Sequence, residues 1–241
     1  MAANRLRPAL VAALIALALM APATADSLER NSSYWSVQPD LRLCPAPLCG
    51  GVFVSLLNRP LTRCPDGAVR ETCHLAGVDW NALGLNAEDR SRFEQAVLAG
   101  RGLVRGDLRR GQPRPGGQPP GLDAPGLLVV TEGWIAATGS RPRGGFYRAS
   151  DNGIVCVTTP CFSLREALLN TKSQRNVSGL DLASVGARAA TVEAAWHQLR
   201  TSSILVAGRN RERTAAGPAG RGVELVATQF YLRVPPSPRS E

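Results

Sequence analysis

Apolar and polar residues alternate in short runs along most of the chain, and two longer stretches carry helical spacing instead. Residues 26 to 33 read as a flexible lead-in, after which Tyr34 to Leu43 and Gly51 to Leu57 read as strands. In the second of these Val52, Val54 and Leu56 alternate with Phe53, Ser55 and Leu57, so both faces are expected to be largely buried. His74 to Trp80 is expected as a third strand. A helix follows from Asn86, a good N-cap with Asp89 at the third helical position, and runs to about Ala99 with Phe93 and Val97 facing inward. Gly100 and Gly102 end it, Leu103-Val104 opens a fourth strand, and Leu127 to Ala136 is a fifth. The order then recurs. Phe146 to Val155, Phe162 to Leu169 and Val177 to Leu182 read as strands, Ala187 to Arg200 as a helix with Val192, Trp196 and Leu199 on one face, and Ile204 to Gly208 and Val223 to Val234 as the closing strands. Thr214 to Gly222 reads as a Gly/Pro loop between the last two.

The recurrence is also literal. Cys44-Pro-Ala-Pro-Leu-Cys49 followed by Leu57-Asn58 is matched 112 positions later by Cys156-Val-Thr-Thr-Pro-Cys161 followed by Leu169-Asn170. Val78-Asp79 matches Leu180-Asp181 at an offset of 102, as Leu103-Val104-Arg105-Gly106 matches Leu205-Val206-Ala207-Gly208. Gly126-Leu127 through Trp134 matches Gly222-Val223 through Phe230 at 96. The drop from 112 to 102 is a ten-residue surplus that includes Cys64 to Cys73. The fold expected is therefore α+β, as two tandem similar halves of about β-β-β-α-β-β with mainly antiparallel sheet. Their ranges are 26–138, with an extra hairpin and an Arg/Pro/Gly loop at 109–126, and 139–234, with 235–241 as a flexible tail.

Composition adds a compartment. Arg5 and Arg7, the apolar run Pro8 to Met20 and Ala23-Thr24-Ala25 have the three-part form of a signal peptide over residues 1–25. Its apolar run is shorter than the ~20 residues a spanning helix needs, and no transmembrane segment is expected in the mature chain. The expected location is periplasmic or extracellular. All six cysteines, Cys44, Cys49, Cys64, Cys73, Cys156 and Cys161, lie after that leader. The second half holds only Cys156 and Cys161, so equivalent halves imply a local pair there, Cys44 with Cys49 by analogy, and Cys64 with Cys73 as the remainder. A structural zinc site is the rival use of four thiolates, but C-x4-C and C-x8-C are not its usual spacings. A formal charge of +9, or +7 without Arg5 and Arg7, rests on arginine with Lys172 as the single lysine. It suits a polyanion at the cell envelope as well as an ordinary arginine-rich surface.

Taken together, Asp40-Leu-Arg-x-Cys44, Pro47-Leu-Cys49-Gly-Gly, Asn58, Cys64-x-Asp66-Gly67, Cys73, Tyr147, Asp151-Asn-Gly-Ile, Cys156, Pro160-Cys161, Leu169-Asn170 and the closing Ala227-Thr-Gln-Phe-Tyr-Leu resemble a family of exported bacterial proteins catalogued only as a domain of unknown function. The resemblance spans nearly all of the mature chain. It implies export and a bacterial source, and supplies no activity. His74 stands where that family is expected to carry an aromatic such as Tyr, which argues against a required histidine there.

Chemistry-bearing motifs are sparse. There is no H-E-x-x-H, G-x-S-x-G, Walker loop or S-x-x-K, and the chain has two histidines, His74 and His197. Asp79 and Asp181 share one context in both halves and invite an acid/base reading, against which stands a shared folding role. Asn58 and Asn170 read as turn-formers that bond locally, and Gly106 and Gly208 as marks of a bend or close backbone approach. No catalytic, cofactor-binding or metal residue is assigned, no cofactor is expected, and nucleic acid is not an expected partner. The expected function is a non-enzymatic binding or structural protein of the envelope or medium. The alternatives are a secreted enzyme inhibitor presenting the 64–73 hairpin, and a hydrolase with a site between the halves using Asp79 and Asp181.

Overall fold

Strand alternation sorts side chains onto two faces of one large sheet. The computed structural model describes residues 32–43, 50–111 and 126–237. The expected leader, the Cys44–Cys49 clip and most of the Arg/Pro/Gly loop lie outside the described residues. In β1 (Ser33–Pro39), Trp35 and Val37 turn to one face and Tyr34 to the other. In β2 (Val52–Leu56), Val52 and Val54 join Trp35. Next come the small hairpin β3 (Thr62–Arg63) and β4 (Val69–Arg70), then β5 (Cys73–Leu75), β6 (Gly77–Asp79), a 3-10 turn (Asn81–Leu83), α1 (Ala87–Leu98), β7 (Gly102–Arg109) and β8 (Leu127–Ala136). The rest of the chain gives β9 (Gly145–Asp151), β10 (Leu164–Leu168), β11 (Gln174–Val177), β12 (Gly179–Asp181), a second 3-10 turn (Ala183–Val185), α2 (Ala189–Thr201), β13 (Ile204–Gly217) and β14 (Gly220–Arg233).

The main sheet runs β11-β10-β9-β13-β14-β8-β7-β1-β2-β5, antiparallel throughout, and two short strands add parallel pairs: β6 on β8 and β12 on β14. The α+β class and the dominance of antiparallel sheet hold. Two expected strands split. His74 to Trp80 becomes β5 and β6, and Val177 to Leu182 falls in β11 and β12, because each piece pairs with a different partner. The expected loop at Thr214 to Gly222 is instead the end of a long hairpin, with Ala216 opposite Arg221 and Gly217 opposite Gly220. The 96-residue offset is corrected by the ladders. Leu103 opposes Trp134 and Leu205 opposes Tyr231, so the offset there is 97, and a one-residue difference decides which face a side chain takes.

One face is covered by the helices. Phe93 and Val97 of α1 pack with Trp35, Val54, Val104 and Val130, while Ala195 and Leu199 of α2 pack with Ala149, Val206, Leu225 and Phe230. Asn86 caps α1 as expected, accepting from Asp89 N–H at 2.9 Å. Ser237 reaches the same cap, accepting from Asn86 N–H at 2.9 Å, so the expected flexible tail is fastened through this residue. Gly106 and Gly208 each sit at a β-bulge where a Cβ would overlap the facing carbonyl of Val129 or Val226, as expected of a close backbone approach.

The other face holds a seam core of Tyr34, Leu57, Leu103, Trp134, Leu169, Leu205, Ala207 and Tyr231. Around it the sheet curls until β1 and β9 are joined by side chains. Asn170 accepts from Tyr34 N–H (2.8 Å) and donates to Tyr34 O (2.8 Å) and Leu57 O (2.9 Å). Asn58 does the reciprocal: it accepts from Phe146 N–H (2.8 Å) and donates to Phe146 O (2.7 Å) and Leu169 O (3.1 Å). Each carboxamide thus stands in for a peptide group of a neighbouring strand. Both residues have positive φ, 59° and 58°, the left-handed region Asn tolerates. The expected local bonding is corrected: the side-chain partners named lie up to 136 positions away.

Candidate functional site

The twin carboxylates do not converge. Asp79 accepts from Asn81 N–H at 3.0 Å and Asp181 from Ser184 N–H at 3.2 Å, each starting its own 3-10 turn. Asp79 lies beside Val129 of β8 and Asp181 beside Val226 of β14, and these antiparallel strands meet at Ala136 and Tyr231. The two residues therefore lie in opposite directions from the junction, about 40 Å apart along the strands at ~3.3 Å per residue. A hydrolase that uses both in one site is corrected on this geometry.

His197 is exposed on α2. His74 is built into a polar knot with Asp40, Arg42 and Gly50. Its ring lies 5.2 Å from that of Phe53, and Nε2–H faces Gly50 O at 2.7 Å and an Asp40 carboxylate oxygen at 3.2 Å. Arg42 grips the same carboxylate with both Nε and a terminal nitrogen at 2.8 Å and lies 5.0 Å from the Phe53 ring centre. The charged hydrogen bonds from Arg42 hold the Asp40 carboxyl well below the usual carboxylate range.

Cys64–Cys73 and Cys156–Cys161 are disulfides, so the described sulfurs are spent in covalent bonds rather than as zinc ligands. They differ in setting. Cys64 and Cys73 are buried in the first helix-side core, whereas Cys156 is exposed on the surface. Cys44 and Cys49 lie outside the described residues.

One cluster was not singled out from sequence. Glu166 on β10 is only 3% exposed, and one carboxylate oxygen accepts from Arg175 Nε (2.6 Å) and Asn210 Nδ2 (2.7 Å). Burial raises the pKa of neighbouring Tyr147, with the Glu166 charge adding to the shift. The other Glu166 oxygen and Asn210 Oδ1 are buried acceptors with no donor among the described residues. Such atoms suit a donor-bearing group or an ordered water. A signal existed: Glu166 occupies an inward phase between Leu164 and Leu168, and the 112-residue offset places it on Val54.

Against known proteins, a family model described as a domain of unknown function, DUF6748, matches residues 33–237. No curated protein and no solved structure matches the chain. With nearly all of the described fold inside that match, the chain belongs to the DUF6748 family, a domain of unknown function.

Proposed function

We propose that this is an exported bacterial protein of the envelope or medium, built from two tandem copies of one unit, that binds or scaffolds rather than catalyses. The duplication is supported by matching elements, matching bulges and the reciprocal asparagine bridges. Export is supported by the leader-like residues 1–25 and by two disulfides, which persist in oxidising compartments. By equivalence with Cys156–Cys161, Cys44 pairs with Cys49.

The observation that carries the binding reading is where exposed apolar residues sit. Val69 and Leu61 flank or lie within the hairpin braced by Cys64–Cys73, and Val155 and Val157 flank or lie within the loop braced by Cys156–Cys161. Meanwhile Asp79, Asp181, Asn58 and Asn170 are engaged in turns and in the seam. The test is affinity capture with the chain from Asp26 onward on envelope and culture extracts. A reproducible saturable partner is expected, and its absence under both low and high salt would overturn the binding reading.

The inhibitor reading has its own support: the Pro65-Asp66-Gly67 turn rises over a buried disulfide, and Arg70 clamps Asp66 at 2.6 Å. Capture of a single enzyme that is lost on deleting Pro65 to Thr72 would favour it.

A further inference from the structure

We propose that the Cys156–Cys161 loop and the adjoining end of the β13–β14 hairpin form a docking surface for an anionic lipid bilayer, an inference that rests on the binding reading and names its partner. Val155 and Val157 are 94% and 101% exposed and Ile154 is 46% exposed, so two aliphatic side chains stand clear of the described residues and a third is about half covered beside them. A slack loop would fold such residues inward. This one is held out. Asn152 donates to Phe162 O (2.8 Å) and accepts from Ile154 N–H (3.0 Å), while Asp151 accepts from Gly153 N–H (2.7 Å). The disulfide closes the loop, and Ala219 N–H donates to Thr159 O at 3.1 Å. Gly217 abuts the Thr159 carbonyl and Gly222 abuts Ser178 Oγ, with Pro160 close to both, so tightly that a side chain at either glycine would collide.

Cations stand beside this tip. The Arg213 stem and Pro160 converge on Gly222, and Arg221 immediately precedes that glycine. Both arginines are exposed and have no acidic partner among the described residues, whereas Arg211 is paired with Glu224 at 2.8 Å. A soluble polyanion would engage the arginines and leave the aliphatic residues in water. A protein partner would favour aromatic anchors in a packed pocket, while these are β-branched residues on a protruding loop. A surface both anionic and apolar answers both features. Aliphatic side chains enter the headgroup boundary while arginines meet lipid phosphates, as at other interfacial anchors.

The experiment is co-sedimentation of the chain from Asp26 onward with phosphatidylcholine vesicles, with and without one third phosphatidylglycerol. Thermal melts of each variant confirm the fold. The wild type is expected to pellet with the anionic vesicles, less so as salt rises. Val155→Asp with Val157→Asp should lower partitioning by about tenfold or more, from lost apolar burial together with like-charge repulsion from the lipid phosphates. Arg213→Ser with Arg221→Ser should lower it by about 25-fold, at roughly fivefold per arginine. Failure of the wild type to pellet overturns the proposal, as does anionic binding unchanged in the Asp variant. A dimer in solution that the Asp variant dissociates also overturns it, assigning the surface to a second copy. Failure of the wild type to pellet together with capture of an envelope partner would end the lipid proposal while leaving the binding reading standing.

Discussion

Val54 pairs with Cys73 on one side of the molecule, and Glu166 pairs with Arg175 on the other, at the same place in the strand order. The first pair is wholly buried and apolar, and Cys73 is tied to Cys64. The second is a cross-strand ion pair with Asn210 as a further donor, at the position where β7 carries Leu108. Trp35 and Tyr147 likewise correspond; Trp35 donates from Nε1 to Gly106 O at 2.9 Å. On the two-copy reading proposed above, one backbone arrangement is completed in two ways, by a disulfide-braced apolar core and by a buried polar network. The lesson is that the backbone does not require either chemistry. A polar network retained where an apolar one suffices is the stronger pointer to a role beyond folding.

The sharpest way to break the comparison is to move the charge without its partners. Val54→Glu places a carboxylate among Trp35, Cys73 and Val104 with no donor supplied, and should cost about 5 kcal/mol or more. Urea unfolding checks it, and a loss under about 1 kcal/mol would show that the two sites are not comparable. Removing one partner on the other side is the next largest effect. Arg175→Ala leaves Glu166 buried with Asn210 alone and should cost about 3 kcal/mol, whereas Glu166→Val with Arg175→Leu and Asn210→Leu imitates the first site and should be neutral or stabilising. Equal losses from the single and the triple change would argue against an uncompensated charge as the cause.

Acid should separate the two regions more gently. The Asp40 carboxyl is held low by Arg42, and that of Asp66 by Arg70 and Ala68 N–H, both in the first region. A depressed folded pKa gives stability that is complete above the ordinary carboxylate value of about 3.9 and is lost as pH falls through the folded one. Asp40→Asn should therefore lower stability at neutral pH, leave it little changed well below about pH 4, and so flatten the acid limb of the stability–pH curve. An unchanged acid limb would contradict the Arg42 contact.

Much of this was legible in sequence. The Asn86 cap, the inward faces of both helices and the close-approach glycines follow from local spacing, and the Cys64–Cys73 and Cys156–Cys161 pairs from matching one half to the other. What depends on partners was not. The split between β5 and β6 is set by pairing to β2 and β8, which alternation within one strand does not encode. The 96-residue offset came from matching Gly-Leu to Gly-Val, while the ladder against Gly106 and Gly208 sets 97. Asn58 and Asn170 look like turn residues because their left-handed backbone is local; what their side chains bond is decided by the curl of the sheet. Glu166 was visible as a charge in an apolar phase, and only the packing shows that it is buried.

The central claim, that two equivalent regions are locked together by reciprocal asparagines, is tested most directly by native-state amide hydrogen exchange at Tyr34 and Phe146. These N–H groups donate to Asn170 and Asn58. Both should be protected to a similar degree, and Asn170→Ala and Asn58→Ala should each strip protection from its own partner while lowering stability by about 3 kcal/mol, for three hydrogen bonds and a strained backbone. Free exchange at either amide in the wild type, or an alanine variant that leaves its partner protected, would contradict the account.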